Sequence, residues 1–150
     1  MISVIQRVSR AKVEVAGRVV GEIARGLMVL TAVHAADTDE DLVRTVEKVL
    51  TLRVFPNGEK SYDLDVGQVG GGVLVVPNFT VAADVTGGRR PALHPAAAPA
   101  VGLVYFEKLL GLLRARHAAV ACGEFGADMA VTLCNDGPLT LVFDTRKAAK

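Results

Sequence analysis

The chain has 150 residues, of which 51% are hydrophobic and 22% charged, with 17 basic against 16 acidic residues and a formal net charge of +1. That bounds it to one domain, 1–150, long enough to bury a real core and too short for two ordinary ones. The charge balance excludes a general nucleic-acid coat protein but leaves room for a local basic patch, and the apolar surplus fits either an oligomer interface or a dense core.

In chain order, Ile2, Val4 and Val8 begin an apolar pattern. Val13 and Val15 then alternate with Lys12, Glu14 and Ala16, as in a half-buried strand. Arg7, Arg10 and Lys12 interrupt this segment, so it lacks the apolar core of a signal peptide. No apolar run approaches the ~20 residues needed to span a membrane, and a cytoplasmic protein is expected. Gly17 marks a hairpin turn. The run "GLMVLTAV" suits a strand buried on both faces. Asp37 and Thr38 offer helix N-caps, with Glu40 and Asp41 three residues beyond each. Leu42, Val43, Val46, Val49 and Leu50 follow at helical spacing, and the helix ends before the turn at Pro56, Asn57 and Gly58.

The middle is rich in loops. A strand is expected over Val73 to Val76, with Pro77 forcing a bend or an edge and "FTVAAD" continuing as a strand beyond it. "GGRRP" reads as a glycine-rich basic loop. After Pro99 a second helix is expected to present Val101, Val104, Tyr105, Leu109, Leu112 and Leu113 on one face, weakened slightly by Gly111. "ADMAVTLC" and "LTLVFD" read as two strands, with Gly137-Pro138 as a turn between them. Strands outnumber helices and few gaps hold a crossover helix. The fold expected is therefore α+β: mainly antiparallel sheets forming a barrel-like core, with two main helices packed outside.

Familiar catalytic sets are missing. His34, His94 and His117 are scattered, and none stands at a metal-binding spacing. Cys122 and Cys134 suggest neither a disulfide framework nor a zinc set, and each reads as a small buried hydrophobe. Ser3, Ser9 and Ser61 lie in no nucleophile elbow. "VGQVGGG" lacks the lysine of a phosphate loop and reads as a turn before a strand. Arg89 and Arg90, flanked by glycines, could grip a phosphate. A solvated loop explains them equally well. An enzyme of this composition has to work with backbone groups, hydroxyls or groups of its substrate, and aimed N–H donors alone can stabilise an oxyanion strongly.

Six segments taken in order resemble the D-aminoacyl-tRNA deacylase (D-tyrosyl-tRNA deacylase) family: "VIQRVSRAKVEV", "LRVFPNGEK", "VGGGVLVVPNFTVAAD", "GRRP", "FGADMAVTL" and "NDGPLT". The third covers the family's Ser-Gln-Phe-Thr-Leu signature, and the last matches Asn-x-Gly-Pro-x-Thr. The resemblance implies hydrolysis of the ester joining a D-amino acid, or glycine, to the 3′ end of tRNA. It also implies a homodimer with sites at the interface, no cofactor and no metal. Asn78, Phe79 and Thr80 would form the catalytic segment. A backbone amide near Phe79 and Thr80 would meet the oxyanion, and the terminal ribose 2′-hydroxyl would assist. Thr80 as nucleophile is the alternative. Gly137 and Pro138, joined by a cis bond and braced by Arg7, would reach into the partner's pocket and exclude an L side chain. Phe125 and Met129 would line the adenosine pocket or pack in the core, and Arg89 and Arg90 would meet the tRNA acceptor end. One place departs from the pattern: Pro77-Asn78 replaces Ser-Gln. That departure motivates two rivals, a deacylase of relaxed chirality and a silent tRNA-binding relative.

Overall fold

The structure is a computed structural model that describes residues 1–147. Strand β1 (Ile2–Val15) turns at Ala16 and Gly17 into β2 (Arg18–Ile23). Both turn residues have positive φ, 49° and 77°, as a tight two-residue hairpin requires. Then come β3 (Gly26–Ala32), helix α1 (Asp39–Thr51), a separate hairpin of β4 (Phe55–Asn57) and β5 (Lys60–Leu64), and β6 (Gly72–Pro77). A 3₁₀ turn (Phe79–Ala82) leads towards α2 (Pro99–Arg116), β7 (Val120–Cys122) and β8 (Ala130–Asp144), with a second 3₁₀ turn at Thr145–Lys147. Among the described residues no helix is long and apolar enough to cross a membrane.

The main sheet runs β2-β1-β3-β6-β7, with β8 also on β1. β1 pairs antiparallel with β3 through its first half and with β2 through its second, while β8 takes its other edge from Ile2 to Glu14. β3, β6 and β7 are parallel to one another. The sheet curls until β2 approaches β7. A Cβ on Gly21 would stand 2.5 Å from the Cys122 carbonyl oxygen, so only glycine permits that approach. This is the expected α+β class, a nearly closed barrel with two helices outside it. Both helices, however, lie in crossovers between parallel strands, which a count of strands could not reveal.

Alternation along the strands divides the core in two. Leu27, Val29, Val73 and Val75 face α1 and α2, meeting Val46, Val49, Phe106 and Leu109. Met28, Leu74 and Val76 point into the curl with Val8, Val13 and Ile23. Covered on both faces, β3 and β6 carry the continuous apolar runs seen in the sequence.

Three elements differ from expectation. "FTVAAD" forms a 3₁₀ turn instead of a strand: Val81 N donates to Asn78 O at 3.2 Å and Ala83 N to Thr80 O at 3.1 Å. Pro77 has no N–H with which to continue the ladder. On α2 the buried face is Gly102, Phe106, Leu109, Leu110 and Leu113, whereas Val101, Val104 and Leu112 are exposed. Its apolar residues surround the helix, so periodicity misassigned the face. Finally, β8 is a single strand that carries Gly137 and Pro138 on an excursion rather than ending at them.

Helix α1 starts as its sequence dictates. Asp41 accepts hydrogen bonds from the Thr38 amide at 2.9 Å and the Thr38 hydroxyl at 3.0 Å. Burial pulls the Asp41 carboxyl upward, but the nearby Thr145 hydroxyl and the hydrogen bonds from Thr38 outweigh it and hold the pKa at about 2. Because the folded value is depressed, this contribution to stability is present above the ordinary carboxylate pKa and lost as pH falls towards 2. Asp41→Asn should therefore flatten the loss of stability between pH 4 and pH 2, measured by denaturant midpoints. An unchanged acid limb would remove Asp41 from the account.

Candidate active site

The parallel strands end together, and the largely apolar pocket is built from the segments just beyond their ends. Where strands run parallel, as β3, β6 and β7 do, ligands often gather at their carboxyl ends. Thr31, at the end of β3, is in register with Pro77, at the end of β6. The Asn78 amide donates to the Thr31 carbonyl at 2.8 Å, which fixes where the chain leaves the sheet. Beyond β7 come Phe125 and Gly126. Ala98, Pro99, Gly102 and Phe106 of the α2 start close the far side of a cavity of about 390 Å³, and Asn78 and Phe79 form its rim. Gly102 makes room for the aromatic floor, since a Cβ there would stand 3.1 Å from Phe125 Cζ. The rings of Phe106 and Phe125 lie 6.0 Å apart at 42°.

The turn at the rim carries the polar groups. Phe79 is 58% exposed. Among the described residues the amides of Phe79 and Thr80 donate to no acceptor, and the first amides of a helical turn have no partner within the turn itself. The Thr80 hydroxyl donates to Asn78 Oδ1. No histidine, lysine or carboxylate among the described residues bonds to that hydroxyl, so the turn offers donors without a base.

Met129 does not line the cavity. Its sulfur covers Gly123, 2.8 Å from where a Cβ would stand, and it packs on the inner core beside Val76. Arg89 and Arg90 are exposed on a loop closed by the Asp84–Ala92 bridge, and the loop runs from the Phe79 turn to Leu93, also a lining residue. Among the described residues neither arginine has an acidic partner within ion-pair distance.

Gly137 and Pro138 lie elsewhere. Their peptide bond is cis, and they line a separate recess of about 250 Å³ with Arg7, Ser61 and Tyr62. Arg7 runs beneath them. Its Nη1 donates to the Val54 carbonyl, and its Nε lies 3.0 Å from Asp136 Oδ2, close enough for an ion pair though not aligned for a hydrogen bond. Arg7 stands four residues along β1 from Ser3, the partner of Thr31, a spacing of about 13 Å along the strand, and the recess shares no lining residue with the cavity.

The D-Tyr-tRNA(Tyr) deacylase family matches residues 4–144 of this sequence. A D-aminoacyl-tRNA deacylase of Methylibium petroleiphilum is 50% identical over 141 residues, which cover 94% of this chain and 93% of that protein. One of Pseudomonas savastanoi pv. phaseolicola is 46% identical over 145 residues, 97% of this chain and all of the relative. The chain belongs to this family. Membership makes it an enzyme, a hydrolase acting on the aminoacyl-tRNA ester bond. Among solved structures, the c-Myc DNA Unwinding Element Binding Protein superposes with a TM-score of 0.91 at 34% identity, covering 96% of this chain and 98% of that one. A probable eukaryotic D-amino acid tRNA deacylase gives 0.83 at 20% identity, covering 95% and 97%, a likeness of fold.

The resemblance to the family points to Phe79, Thr80 and the Gly137–Pro138 loop, with Asn78 at the one place that departs from its pattern. Thr31, Ala98, Gly102 and Phe106 escaped the sequence reading. The only local signal was the small-residue stretch "HPAAAPA" at the α2 entry, where the wall of the cavity has to lie close.

Proposed function

We propose that this chain removes D-amino acids and glycine from tRNA in the cytoplasm, with backbone amides doing the work of an oxyanion hole. What carries this reading is the pair of amides at Phe79 and Thr80, at the rim of an apolar cavity, which among the described residues have no acceptor and no base beside the Thr80 hydroxyl. The terminal adenosine enters the cavity and lies against Phe125, which brings the ester to the turn. Water attacks the ester carbonyl, and the negative charge that develops on its oxygen falls to the amides. The bond to the ribose 3′-oxygen then breaks, releasing the amino acid and a free 3′ end, with the neighbouring 2′-hydroxyl assisting. Arg89 and Arg90 meet acceptor-end phosphates.

Chirality is set by a second copy. Two mirror-image amino acids present the same groups, so attraction separates them poorly, and a wall that clashes with one hand separates them well. Gly137 and Pro138 form that wall for the pocket of the partner copy. Their recess shares no lining residue with the cavity of their own chain, which supports a homodimer in which they serve the other copy. Glycine has no side chain for the wall to reject, so Gly-tRNA is also a substrate.

The test is deacylation of matched D- and L-tyrosyl-tRNA, together with Gly-tRNA. The D-substrate and Gly-tRNA should turn over more than about 200-fold faster than the L-substrate, beyond what a pocket sensing one methylene achieves. Equal rates for both hands would establish the relaxed deacylase that Pro77-Asn78 suggests. Tight tRNA binding without turnover would establish the silent relative.

A further inference from the structure

The loop bearing Gly137 and Pro138 is tied at its neck by side chains. β1 and β8 are in register at Gln6 and Thr140, and again at Val8 and Asn135. Between those pairs β1 has one residue, Arg7, and β8 has residues 136–139. The surplus leaves the ladder as a loop with Asn135 at one foot and Thr140 at the other. Asn135 Nδ2 donates to Thr140 Oγ1 at 2.8 Å, and Gln6 Nε2 donates to the same oxygen at 3.2 Å. A side-chain bridge thus spans the neck and fastens it to β1. Arg7 supports the loop from below, through Asp136, and its one side-chain hydrogen bond among the described residues goes to the Val54 carbonyl, not to either foot.

Asn135 stands half-buried at the first foot of the loop. Its Oδ1 is buried with no partner among the described residues. An orphaned acceptor of that kind costs stability that an apolar residue would not cost. What asparagine supplies and an apolar side chain cannot is the donor to Thr140.

We propose that Asn135, Thr140 and Gln6 form a positioning clasp that fixes where Gly137 and Pro138 stand, and thereby sets the preference for D- over L-aminoacyl esters. The proposal rests on the reading of Gly137 and Pro138 as the chiral wall. A wall that discriminates by contact has to be held to about 0.5 Å. A loop pivoting on two strand residues has freedom at both feet, and the bridge across them removes it. None of the three residues touches substrate. Their effect is therefore one-sided: a looser wall admits the L side chain, which it was blocking, and offers nothing new to the D-substrate.

That asymmetry is the test. Thr140→Val keeps the shape of the side chain and removes the oxygen. The ratio of D- to L-tyrosyl-tRNA deacylation should fall about tenfold, within the worth of the two hydrogen bonds that this oxygen accepts, through a rise in the L rate. Thr140→Ser, which restores the oxygen, should restore the ratio. Asn135→Ala should lower the ratio in the same way, and serves if the valine variant folds poorly. A fall in both rates together, or a ratio unmoved in both folded variants, overturns the clasp. Pro138→Ala is the control that separates the two readings. A ratio that moves with Pro138→Ala and not with Thr140→Val leaves the wall standing and removes the clasp. A ratio that moves with neither removes both.

Discussion

Phe79→Pro should lower kcat by about 10²–10³ relative to Phe79→Ala, the loss expected on removal of one oxyanion donor. The two variants share the loss of the phenyl ring, so their difference reports the amide alone. The backbone is suited to the exchange. Phe79 is the first residue of its 3₁₀ turn, where proline is tolerated because the amide has no partner within the turn. Asn78, at φ −148° and ψ 88°, is already outside the α region that a following proline forbids. Both variants should therefore fold alike, and a comparison of urea midpoints checks that. Thr80→Ala completes the set. It keeps the amide and removes the hydroxyl, which bonds only to Asn78 among the described residues, so activity should stay within about tenfold of the parent, less than removal of an amide donor costs. Complete loss in Thr80→Ala with intact tRNA binding would transfer the chemistry to the hydroxyl. Equal kcat in the proline and alanine variants would remove the Phe79 amide from the mechanism.

Such a mechanism also explains what the sequence could and could not disclose. Local physics was legible. Gly17 announced a turn that it makes with Ala16 at positive φ, and Thr38 with Asp41 announced the start of α1. Long-range pairing was not. Nothing in "GLMVLTAV" or "VLVV" says that β3 and β6 lie parallel and end together at Thr31 and Pro77, because a strand buried on both faces looks the same whatever its neighbour. The cavity depends on that shared end, so most of its lining went unseen. α2 misled for a related reason, since Val101, Leu103, Val104 and Leu112 remain exposed and spoil the period that marks a buried face. The chemistry itself is silent at this level: every residue except proline carries an amide donor, and what singles out Phe79 is a turn after β6. Only the ordered family signatures pointed to that segment. The Gly137–Pro138 loop was visible as a motif, but its neck was not, because the bond from Asn135 to Thr140 depends on a register fixed by β1.

The largest effect on stability should come from Gly26→Ala, at the opposite end of the same two strands. Gly26 is in register with Gly72, and a Cβ on Gly26 would stand 1.9 Å from the Gly72 carbonyl oxygen and 2.7 Å from its carbonyl carbon and nitrogen. Every one of those atoms is backbone, so no side chain can swing aside. β3 and β6 would have to part at their start, or slide. A slip of one residue would exchange Leu27 and Val29 with Met28 between the two cores. Either escape belongs among the rare substitutions that cost more than about 4 kcal/mol, against a total stability of roughly 5–15 kcal/mol for such a domain. The urea midpoint should fall steeply, and a domain at the low end of that range would be partly unfolded at 37 °C. Gly111→Ala is the contrasting case: a Cβ there meets nothing within 4 Å in α2, and the exchange should stabilise by about 0.5–1 kcal/mol. The site ties the two ends together. Thr31 and Pro77 hold the active turn only while β3 and β6 stay in register, so the residual deacylation of Gly26→Ala should track its folded fraction. A Gly26→Ala protein with the parent's urea midpoint would contradict the close pairing of these strands, and with it the geometry that places Asn78 and Phe79 at the cavity rim.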